Sequence, residues 1–343
     1  MNAEFDLIER IRQRAAGQRA DVVLGIGDDA AILRVPAGQD LVVSTDTLSS
    51  GVHFPVDTPA SHIGWKSLAV NLSDLAAMGA QPAWCALNLT IPEANSAWLD
   101  AFLDGFFALA TQYQVALVGG DTTRGPLSIT VTVHGFVPHG MALLRSGAQV
   151  GDDIWISGTL GDAAAALAKR DAAPGGVSDR QASGCDSTGD VLKSQYNLQT
   201  RLNRPTPRVT LGIALRDIAT ACIDVSDGLL ADLGHIVDAS NVGAEISVGD
   251  MPTSIELSQA YDHAQRVAFQ LSGGDDYELC FTALHECASQ VDAAGAQAGV
   301  AVTRIGHIQA QPGLRVRDCN GVMSNATPSG YRHFASAHAV SDE

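Results

Sequence analysis

Aromatic side chains and long apolar runs are scarce in this sequence. Aromatic residues fill 5% of the 343 positions although 46% are hydrophobic, so we expect Ala, Val, Leu and Ile to build the core. No apolar run approaches the roughly 20 residues that span a bilayer. The N-terminal residues 1–14 carry acids and lack the apolar stretch of a secretory signal. We therefore expect a cytoplasmic protein with no membrane partner, and its length favours two domains.

Basic residues are also in deficit. Lys and Arg total 21 against 38 Asp and Glu, which gives a formal net charge of −17. A surface this negative repels nucleic acid and anionic membranes, so neither is expected as a partner. It would also repel a substrate that carries phosphate. An enzyme of this charge that handles phosphates needs divalent cations close to its acids.

Cysteines are few and unpaired in the sequence. No CxxC pair and no zinc-ligand spacing occurs. Most of the thiols lie in apolar stretches, which favours buried structural residues, and a chain of this size needs no disulfides. The six positions are Cys85, Cys185, Cys222, Cys280, Cys287 and Cys319.

Two nucleotide-binding motifs can be excluded. The P-loop pattern G-x-x-x-x-G-K-[ST] does not occur. Residues 25–30, GIGDDA, match the dinucleotide fingerprint G-x-G-x-x-A, but that motif requires a helix N-terminus facing the pyrophosphate. The segment that follows, AAILRV, reads as a strand, and Asp28 and Asp29 would face the pyrophosphate directly. We therefore reject a Rossmann site.

The order of predicted elements indicates an α/β (α+β) chain in two units. A turn-rich stretch over 138–150 separates a first domain, 1–138, from a second, 150–334, and a Gly/Ser/Asp-rich stretch over 170–203 is interpreted as a mobile surface insertion. Ser61 and Ser96 are candidate helix caps. Helices are expected near 5–16, 61–78, 96–113, 160–169, 207–220, 228–240 and 285–297, and strands near 22–24, 30–35, 41–44, 84–91, 115–118, 129–137, 153–157, 244–248, 277–282 and 301–308.

Aspartates recur in short polar segments after apolar, strand-like runs. Any one of them would more often be a turn former or a helix cap. Five such segments in one chain favour a shared site, because loops at strand ends bind ligands in α/β folds. Carboxylates on short stems suit hard cations such as Mg²⁺ together with phosphates. The segments contain Asp28 and Asp29, Asp46, Asp121, Asp224 and Asp227, and Asp275 and Asp276.

The helix predicted over 61–78 carries two stripes. Trp65, Leu68, Leu72 and Leu75 form an apolar stripe, and Ser67, Asn71 and Asp74 form a second, polar one. A solvated face would usually carry Lys, Glu or Arg, so the short polar side chains favour a metal-binding face, with a solvated face as the alternative. Lys66 on the same helix is either a phosphate contact or a solvated residue.

Seven motifs together resemble the thiamine-monophosphate kinase family. Their order and spacing match the family pattern over essentially the whole chain, and the match ends at GYRHF (330–334). The wider superfamily includes aminoimidazole ribonucleotide synthetase, selenophosphate synthetase and a hydrogenase-maturation protein, all of which use ATP. The motifs are GIGDDAAIL (25–33), STDTLSSGVHF (44–54), KSLAVNLSDLAAMGA (66–80), GGDTTRGP (119–126), RSGAQVGD (145–152), DVSDGL (224–229) and SGGDDYEL (272–279).

The resemblance implies an aminoimidazole ribonucleotide synthetase-like fold of two α/β domains. The N-terminal domain would pair in a homodimer, and the cleft would hold ATP, several Mg²⁺ ions and thiamine monophosphate. Matched motif by motif, the Mg²⁺ ligands would be Asp29, Ser44, Thr45, Asp46, Asp74, Asp121, Asp224 and Asp227. The ATP contacts would be Gly120, Asp121, Arg145 and Ser226, and the thiamine phosphate contacts would be His53, Asp275 and Tyr331.

One of these positions departs from the family. The pattern there is GGEDYEL, with Glu where this chain has Asp275. The charge is kept but the reach is shorter by one methylene. Contact with the thiamine ring would then pass through a water, or Asp276 would contribute.

The expected chemistry is direct transfer of the ATP γ-phosphoryl group. A phosphate monoester acceptor is mostly dianionic at neutral pH and needs no base, so positioning and charge neutralisation supply most of the catalysis. No covalent nucleophile is expected. Arg145 and Arg124 are the candidate cations near phosphate, with a surface ion pair for Arg145 and a loop brace for Arg124 as alternatives.

Two other functions stay open at this stage. The first is another ATP-using member of the superfamily, such as a synthetase that activates an amide oxygen. Selenophosphate synthetase is disfavoured because a reactive Cys or selenocysteine is expected near the N-terminus, whereas the first cysteine here is Cys85. The second is a non-catalytic sensor that binds nucleotide or thiamine phosphate.

Overall fold

The computed structural model describes residues 3–15, 19–171, 198–327 and 329–331, and within them helices and strands alternate. The helices are α1 (Ala3–Arg14), α2 (Ala60–Ala77), α3 (Ser96–Gln112), α4 (Asp162–Asp171), α5 (Leu198–Asn203), α6 (Val209–Ala214), α7 (Leu229–Ser240), α8 (Ile255–Ala260), α9 (His263–Ser272) and α10 (Ala288–Ala298). The strands are β1 (Val22–Leu24), β2 (Ile32–Leu33), β3 (Gln39–Ser49), β4 (Gln81–Ile91), β5 (Ala116–Arg124), β6 (Ser128–Pro138), β7 (Asp153–Ser157), β8 (Ala219–Val225), β9 (Gly243–Ser247), β10 (Glu278–Ala283), β11 (Val302–Gln309), β12 (Gly313–Arg317) and β13 (Met323–Ala326).

The first half of the chain builds a four-stranded sheet in the order β3-β6-β4-β5. Its pairs are antiparallel except β4 and β5, which are parallel. Side chains alternate between the two faces of a strand, so Leu48 of β3 is buried against α2 while Leu41 and Val43 face away and are exposed. On that far face, the β1–β2 pair packs Val22 and Leu33 against Trp84 and its neighbours.

The second half builds a seven-stranded sheet in the order β13-β12-β9-β11-β7-β10-β8. Its pairs are antiparallel except β9 with β12. Helix α2 lies between the two sheets: its predicted apolar stripe buries Leu68, Leu72 and Leu75 completely, in one core with Leu279 and Phe281 of β10. Burial of these three side chains, at about 25 cal/mol per Å² of apolar surface, holds α2 in place. Residues of both halves of the chain therefore pack against α2 at the site.

The mixed helix and strand content predicted from the sequence is confirmed. The helix expected over 61–78 is α2, but the cap prediction was wrong: Pro59 takes the N-cap position and makes no side-chain cap bond. Ser96 is likewise the first residue of α3, whose cap is Asn95, accepting from the Trp98 N–H. A cap needs a side-chain oxygen just outside the helix. Helix α2 begins two residues earlier than a helix capped by Ser61 would, and α3 begins one residue earlier than a helix capped by Ser96 would.

Several boundaries differ from the predictions. The helix expected over 207–220 is wrong in its second half, because α6 ends at Ala214 and β8 begins at Ala219. Helices α8 and α9 and strands β12 and β13 were missed. Of the stretch expected to be an insertion, residues 172–197 lie outside the described residues, and 198–203 form α5. Of the expected GYRHF end, 332–334 also lie outside them.

Two expectations on composition can be compared with the structure. Cys85, Cys222 and Cys280 are buried free thiols, as predicted, whereas Cys319 is exposed; Cys185 lies outside the described residues. Within the part of the chain that the structure describes, no helix is both long enough and apolar enough to cross a bilayer.

Candidate active site

A cavity of about 660 Å³ opens between the two sheets. Its walls come from the edge strand β3, from α2 and α4, from the end of β8 and from the loop before β10. Most of the residues expected at the site line it: Ser44, Thr45, Asp46, His53, Asp74, Arg145, Asp224, Ser226, Asp227, Asp275 and Tyr331.

The polar stripe of α2 binds strand β3. The Ser44 hydroxyl donates to the Asp74 carboxylate at 2.5 Å, and the Asp46 backbone N–H donates to Asn71 Oδ1 at 3.0 Å. The Ser67 hydroxyl, by contrast, donates within the helix to the Gly64 carbonyl. The stripe is thus buried against the sheet and is not a solvated face. It brings acids of α2 and β3 together on one wall of the cavity.

The neighbouring residue of α2 binds the other sheet. Ser73 donates from its hydroxyl to Asp224 Oδ2 at 2.8 Å, and Asp224 sits near the end of β8 with 4% of its surface exposed. Asp46, Asp74 and Asp224 therefore approach one another from three different elements. Their separation along the sequence hides this grouping.

The buried acids repel one another. The pKa of Asp224 is raised to about 8, mainly by burial and to a smaller extent by the charge of Asp74. The pKa of Asp74 is raised to about 6, mainly by burial and to a smaller extent by the charge of Asp46. Burial also raises the pKa of Asp46. Among the described residues that line the cavity, Arg145 alone carries a permanent positive charge. The wall therefore has more negative charge than its own cations offset.

The acids fit a cation that arrives with its own ligands. Among the described residues, no three Asp, Glu, His or Cys side chains are gathered closely enough to hold a metal ion by themselves. Mg²⁺ commonly keeps several waters and binds through one or two carboxylates plus substrate phosphates. The uncompensated acids of the wall match that mode of binding better than they match a preformed all-protein cage.

A buried aspartate that the sequence analysis missed supports the 226–228 loop. Asp232 on α7 accepts the N–H groups of Ser226, Asp227 and Gly228 through one oxygen, at 3.0, 3.1 and 3.1 Å. Burial first, and then the charge of Asp227, raises the pKa of Asp232 to about 7. The sequence does carry a signal for this role: an acid in the first turn of a helix that follows a D-x-x-D-G loop. The free N–H groups at the N-terminus of a helix attract such a carboxylate.

Part of the cavity lining is uncharged. Val52, Ala163, Ala164 and Leu167 supply apolar surface, and Tyr331 also lines the cavity. His53 is oriented by its Nδ1, which accepts the Ser49 N–H at 3.0 Å. Tyr331 is tied to the acid wall through its backbone N–H, which donates to the Asp227 carbonyl at 3.1 Å. The apolar part of the lining suits an uncharged or cationic ring system.

Asp275 also lines the cavity, and both of its carboxylate oxygens accept hydrogen bonds. Oδ1 accepts the Tyr277 hydroxyl at 2.9 Å and Oδ2 accepts the Lys66 ammonium at 3.0 Å. Its neighbour Asp276 does not line the cavity: it is buried and accepts the Gly161 N–H at 2.7 Å. The sequence analysis gave Asp276 as an alternative contact with the thiamine ring. Because Asp276 is buried outside the cavity, it cannot contact a ligand there.

Three expected site residues lie away from this cavity. Asp29 is exposed in the turn between β1 and β2, while Gly120 and Asp121 lie on β5. Across the sheet, Asp46 pairs with Val131, which stands in register with Leu87 and then Gly120. Three inter-strand steps of about 4.8 Å separate β3 from β5 by about 14 Å.

The remaining candidates are Thr45 and Arg124. The Thr45 hydroxyl turns to the far face of the edge strand and bonds with Thr132 Oγ1 at 3.0 Å. Arg124 is exposed and donates to the Pro92 carbonyl at 3.3 Å, which favours the loop brace. The segment GGDTTR, expected after a strand, is part of β5, because its pairing with β4 continues as far as Arg124.

Known proteins resemble this chain along almost its full length. Residues 27–137 match the family model of the AIR synthase related protein N-terminal domain, and 149–319 match that of its C-terminal domain. Thiamine-monophosphate kinase of Salmonella typhimurium is 48% identical over 334 residues, which cover 97% of this chain and 98% of that protein.

Solved structures extend the resemblance to the fold. Thiamine-monophosphate kinase from Stenotrophomonas maltophilia K279a is 54% identical, with a TM-score of 0.81 over 92% of this chain and 96% of that one. AaThiL complexed with AMPPCP and TMP is 28% identical, with a TM-score of 0.70 over 96% and 97% of the two chains. With its two AIR synthase related domains and an identity near one half along its whole length, the chain belongs to the thiamine-monophosphate kinase family.

Proposed function

We propose that this chain transfers the γ-phosphoryl group of ATP to thiamine monophosphate and releases thiamine diphosphate and ADP. The observation that carries the proposal is one cavity with two unlike kinds of lining. An acid wall with Arg145 shares the cavity with apolar side chains, His53 and Asp275. Its volume of about 660 Å³ falls in the ordinary range of small-molecule sites. Membership of the family supports the identity of both substrates.

The two kinds of lining divide the binding work. Arg145 and the Ser226 hydroxyl offer donors to phosphate oxygens, since a guanidinium can bind phosphate in a bidentate way. Val52, Ala164 and Leu167 offer apolar surface to the ring part of the acceptor. In this arrangement the ring part contacts the apolar residues, and the acceptor phosphate points toward the acid wall and meets the nucleotide there.

The side chains at the wall favour direct in-line transfer. The acceptor phosphate needs no base, and two of the candidate nucleophiles already make hydrogen bonds: Ser44 donates to Asp74, and the His53 Nδ1 accepts the Ser49 N–H. Positioning of two anions is therefore the main task of the protein. Bound Mg²⁺ would offset the charge of the phosphates and of the acids, with Ser44, Asp46, Asp74, Asp224 and Asp227 as its nearest ligands.

We also propose a homodimer formed through the far face of the first sheet, where the β1–β2 pair leaves that face uncovered. Leu41 and Val43 of β3 project from this face and are 43% and 53% exposed. Asp121 lies on the same face as Thr47 of β3, because Thr47, Thr130, Asn88 and Asp121 are in register across the sheet. Pairing two such faces would carry Asp121 and its neighbour Gly120 toward the β3 strand of the second copy.

We further propose a division of the chain into two domains and a cellular compartment. The segments 1–138 and 150–334 are proposed as two domains, since each contributes its own sheet. The cytoplasm is the proposed compartment, because it supplies ATP and keeps free thiols such as Cys85 and Cys222 reduced.

The test is a direct assay. The protein is incubated with ATP, Mg²⁺ and thiamine monophosphate, and thiamine diphosphate and ADP are quantified; equal amounts of both are expected. The variant D46N is the matched control, because it removes one charge of the acid wall. A folded protein that binds thiamine monophosphate without forming product would be a sensor. Product formed only with an amide-containing acceptor would indicate a synthetase.

A further inference from the structure

Lys66 fits neither of the roles that its sequence context suggested. It is only 3% exposed, so it is not a solvated residue. It is also absent from the described residues that line the cavity, so it is not placed as a phosphate contact. A buried ammonium normally requires partners, because desolvation of an unpaired charge is costly. The partners of Lys66 identify its role.

The ammonium of Lys66 joins two segments that the sequence holds far apart. It donates to Asp275 Oδ2 at 3.0 Å and to the His53 carbonyl at 3.1 Å. Asp275 precedes β10 in the second half of the chain, while His53 lies in the loop between β3 and α2. One side chain on α2 thus holds two of the three segments that carry the expected contacts to thiamine phosphate.

The Asp275 segment needs such a restraint. Asp275 and Tyr277 have φ of +69° and +51°, in the left-handed region that non-glycine residues rarely adopt. Strained backbone persists when its surroundings fix it. Here the Asp275 N–H donates to the Ser226 carbonyl and the Tyr277 N–H to the Val225 carbonyl, both at 2.8 Å. The Lys66 ion pair fixes the side chain as these bonds fix the backbone.

The carboxylate keeps room for a ligand. Each of its oxygens can accept about two hydrogen bonds, and Lys66 and Tyr277 use one on each oxygen. Asp275 lines the cavity, so an acceptor position remains for a donor on the ring part of a substrate. Its direction is set by the two protein donors behind it.

We propose that Lys66 is a positioning residue for the phosphate acceptor: it orients the Asp275 carboxylate and the His53 loop toward the ring part of thiamine monophosphate. The inference rests on the proposed function and names the residue that sets its acceptor specificity. Lys66 acts through Asp275, so the proposed contacts of Arg145 with the nucleotide do not depend on it.

The experiment compares K66M, D275N and the double variant with the wild type, and K169M serves as the control for a Lys→Met change on an exposed helix position. K66M is expected to raise KM for thiamine monophosphate by about tenfold or more, the loss typical of a hydrogen bond to a charged group. KM for ATP should stay within about twofold. K66M added to D275N should change KM by less than about twofold, because the two residues act as one unit.

Two results would overturn the proposal. One is an equal rise of KM for ATP and for thiamine monophosphate in K66M. The other is a K66M effect that multiplies fully with that of D275N. If K66M does not fold, K66Q, which keeps a donor of similar length, is measured in the same cycle. If the wild type makes no thiamine diphosphate, the proposed function fails, and calorimetric binding of thiamine monophosphate to the same variants still tests Lys66.

Discussion

Ser73 and Asp224 join the two sheets at the acid wall, with the Ser73 hydroxyl donating to Asp224 Oδ2 at 2.8 Å. The next residue of the helix, Asp74, accepts from Ser44 on the other side. Successive residues of α2 therefore bond to β8 of the second sheet and to β3 of the first. The geometry keeps these acids close even though burial and mutual repulsion raise the pKa values of Asp224 and Asp74.

The first prediction concerns Asp224→Asn. In the absence of divalent cations the variant should be more stable than the wild type at about pH 8.5, because a buried charge is removed while Ser73 keeps an oxygen acceptor. A rise in Tm of at least about 2 °C corresponds to roughly 1 kcal/mol. Turnover should fall by about a hundredfold or more, because one of the proposed Mg²⁺ ligands at the acid wall is lost. Calorimetry and the product assay measure the two effects; a lower Tm with unchanged turnover would contradict the assignment.

The second prediction concerns pH and the metal-free protein. The pKa values of Asp74, Asp232 and Asp224 are raised from 3.8 to about 6, 7 and 8. The folded state then binds more protons than the unfolded state between about pH 4 and pH 8, so stability falls as pH rises through this window. Tm measured in a chelating buffer should therefore decrease from about pH 5 to about pH 8.5.

Its controls separate the acid wall from the rest of the chain. Asp224→Asn should flatten the upper part of the profile, because the group with the highest of the three values is removed. Saturating Mg²⁺ with an ATP analogue should raise Tm more at the upper end than at the lower end, since cations bind the ionised acids. A wild-type Tm that rises over the whole range would show that these acids do not dominate.

The residue spacing within single elements was enough to predict the acid wall, but not which of the candidate acids lie outside it. The spacing of Ser67, Asn71 and Asp74 predicted a polar face on α2, and that face is where Asp46 is bound. The position of Asp121 could not be predicted, because the strand order that places β5 at the far edge depends on the long-range pairing of β3 with β6. Lys66 gave no signal for the same reason: its partner is 209 positions away.

The third prediction concerns Asp232. Replacing it with Ala leaves three N–H groups of the 226–228 loop without their acceptor. Loss of such a supporting partner typically costs about 10–100-fold, and here it should appear mainly in kcat and in the Mg²⁺ dependence. Asp232→Asn keeps one oxygen and should lose less. Steady-state kinetics over a Mg²⁺ series distinguish the variants, with Asp238→Ala, an exposed position on the same helix, as the control.

The fourth prediction concerns the departure from the family pattern. Asp275→Glu lengthens the side chain by one methylene, and the flexible Lys66 can follow it. KM for thiamine monophosphate should stay the same or fall, because the carboxylate reaches farther into the cavity. KM for ATP should not change. A rise of more than about fivefold for thiamine monophosphate alone would indicate that the shorter residue is matched to the Tyr277 donor and cannot be extended.

The last prediction tests whether two copies share the site. Within one copy, β3 and β5 are about 14 Å apart, which is too far for Asp46 and Asp121 to hold one cation. If the partner supplies Asp121 across the uncovered sheet face, D46N and D121N are each inactive alone. Mixing equal amounts after subunit exchange gives half heterodimers, each with one intact site, and about a quarter of wild-type activity.

Placing Asp→Asn at both positions of one chain and mixing that chain with the wild type provides the control, because every heterodimer then has both sites damaged. Val43→Asp, on the exposed face of β3, should separate the copies in light scattering and abolish the recovery. No recovery from mixed dimers that exchange subunits freely would mean that Asp121 serves the cavity of its own chain. In that case nucleotide binding would have to draw β5 and β3 of one copy to a common ligand, because neither strand reaches the other within the sheet.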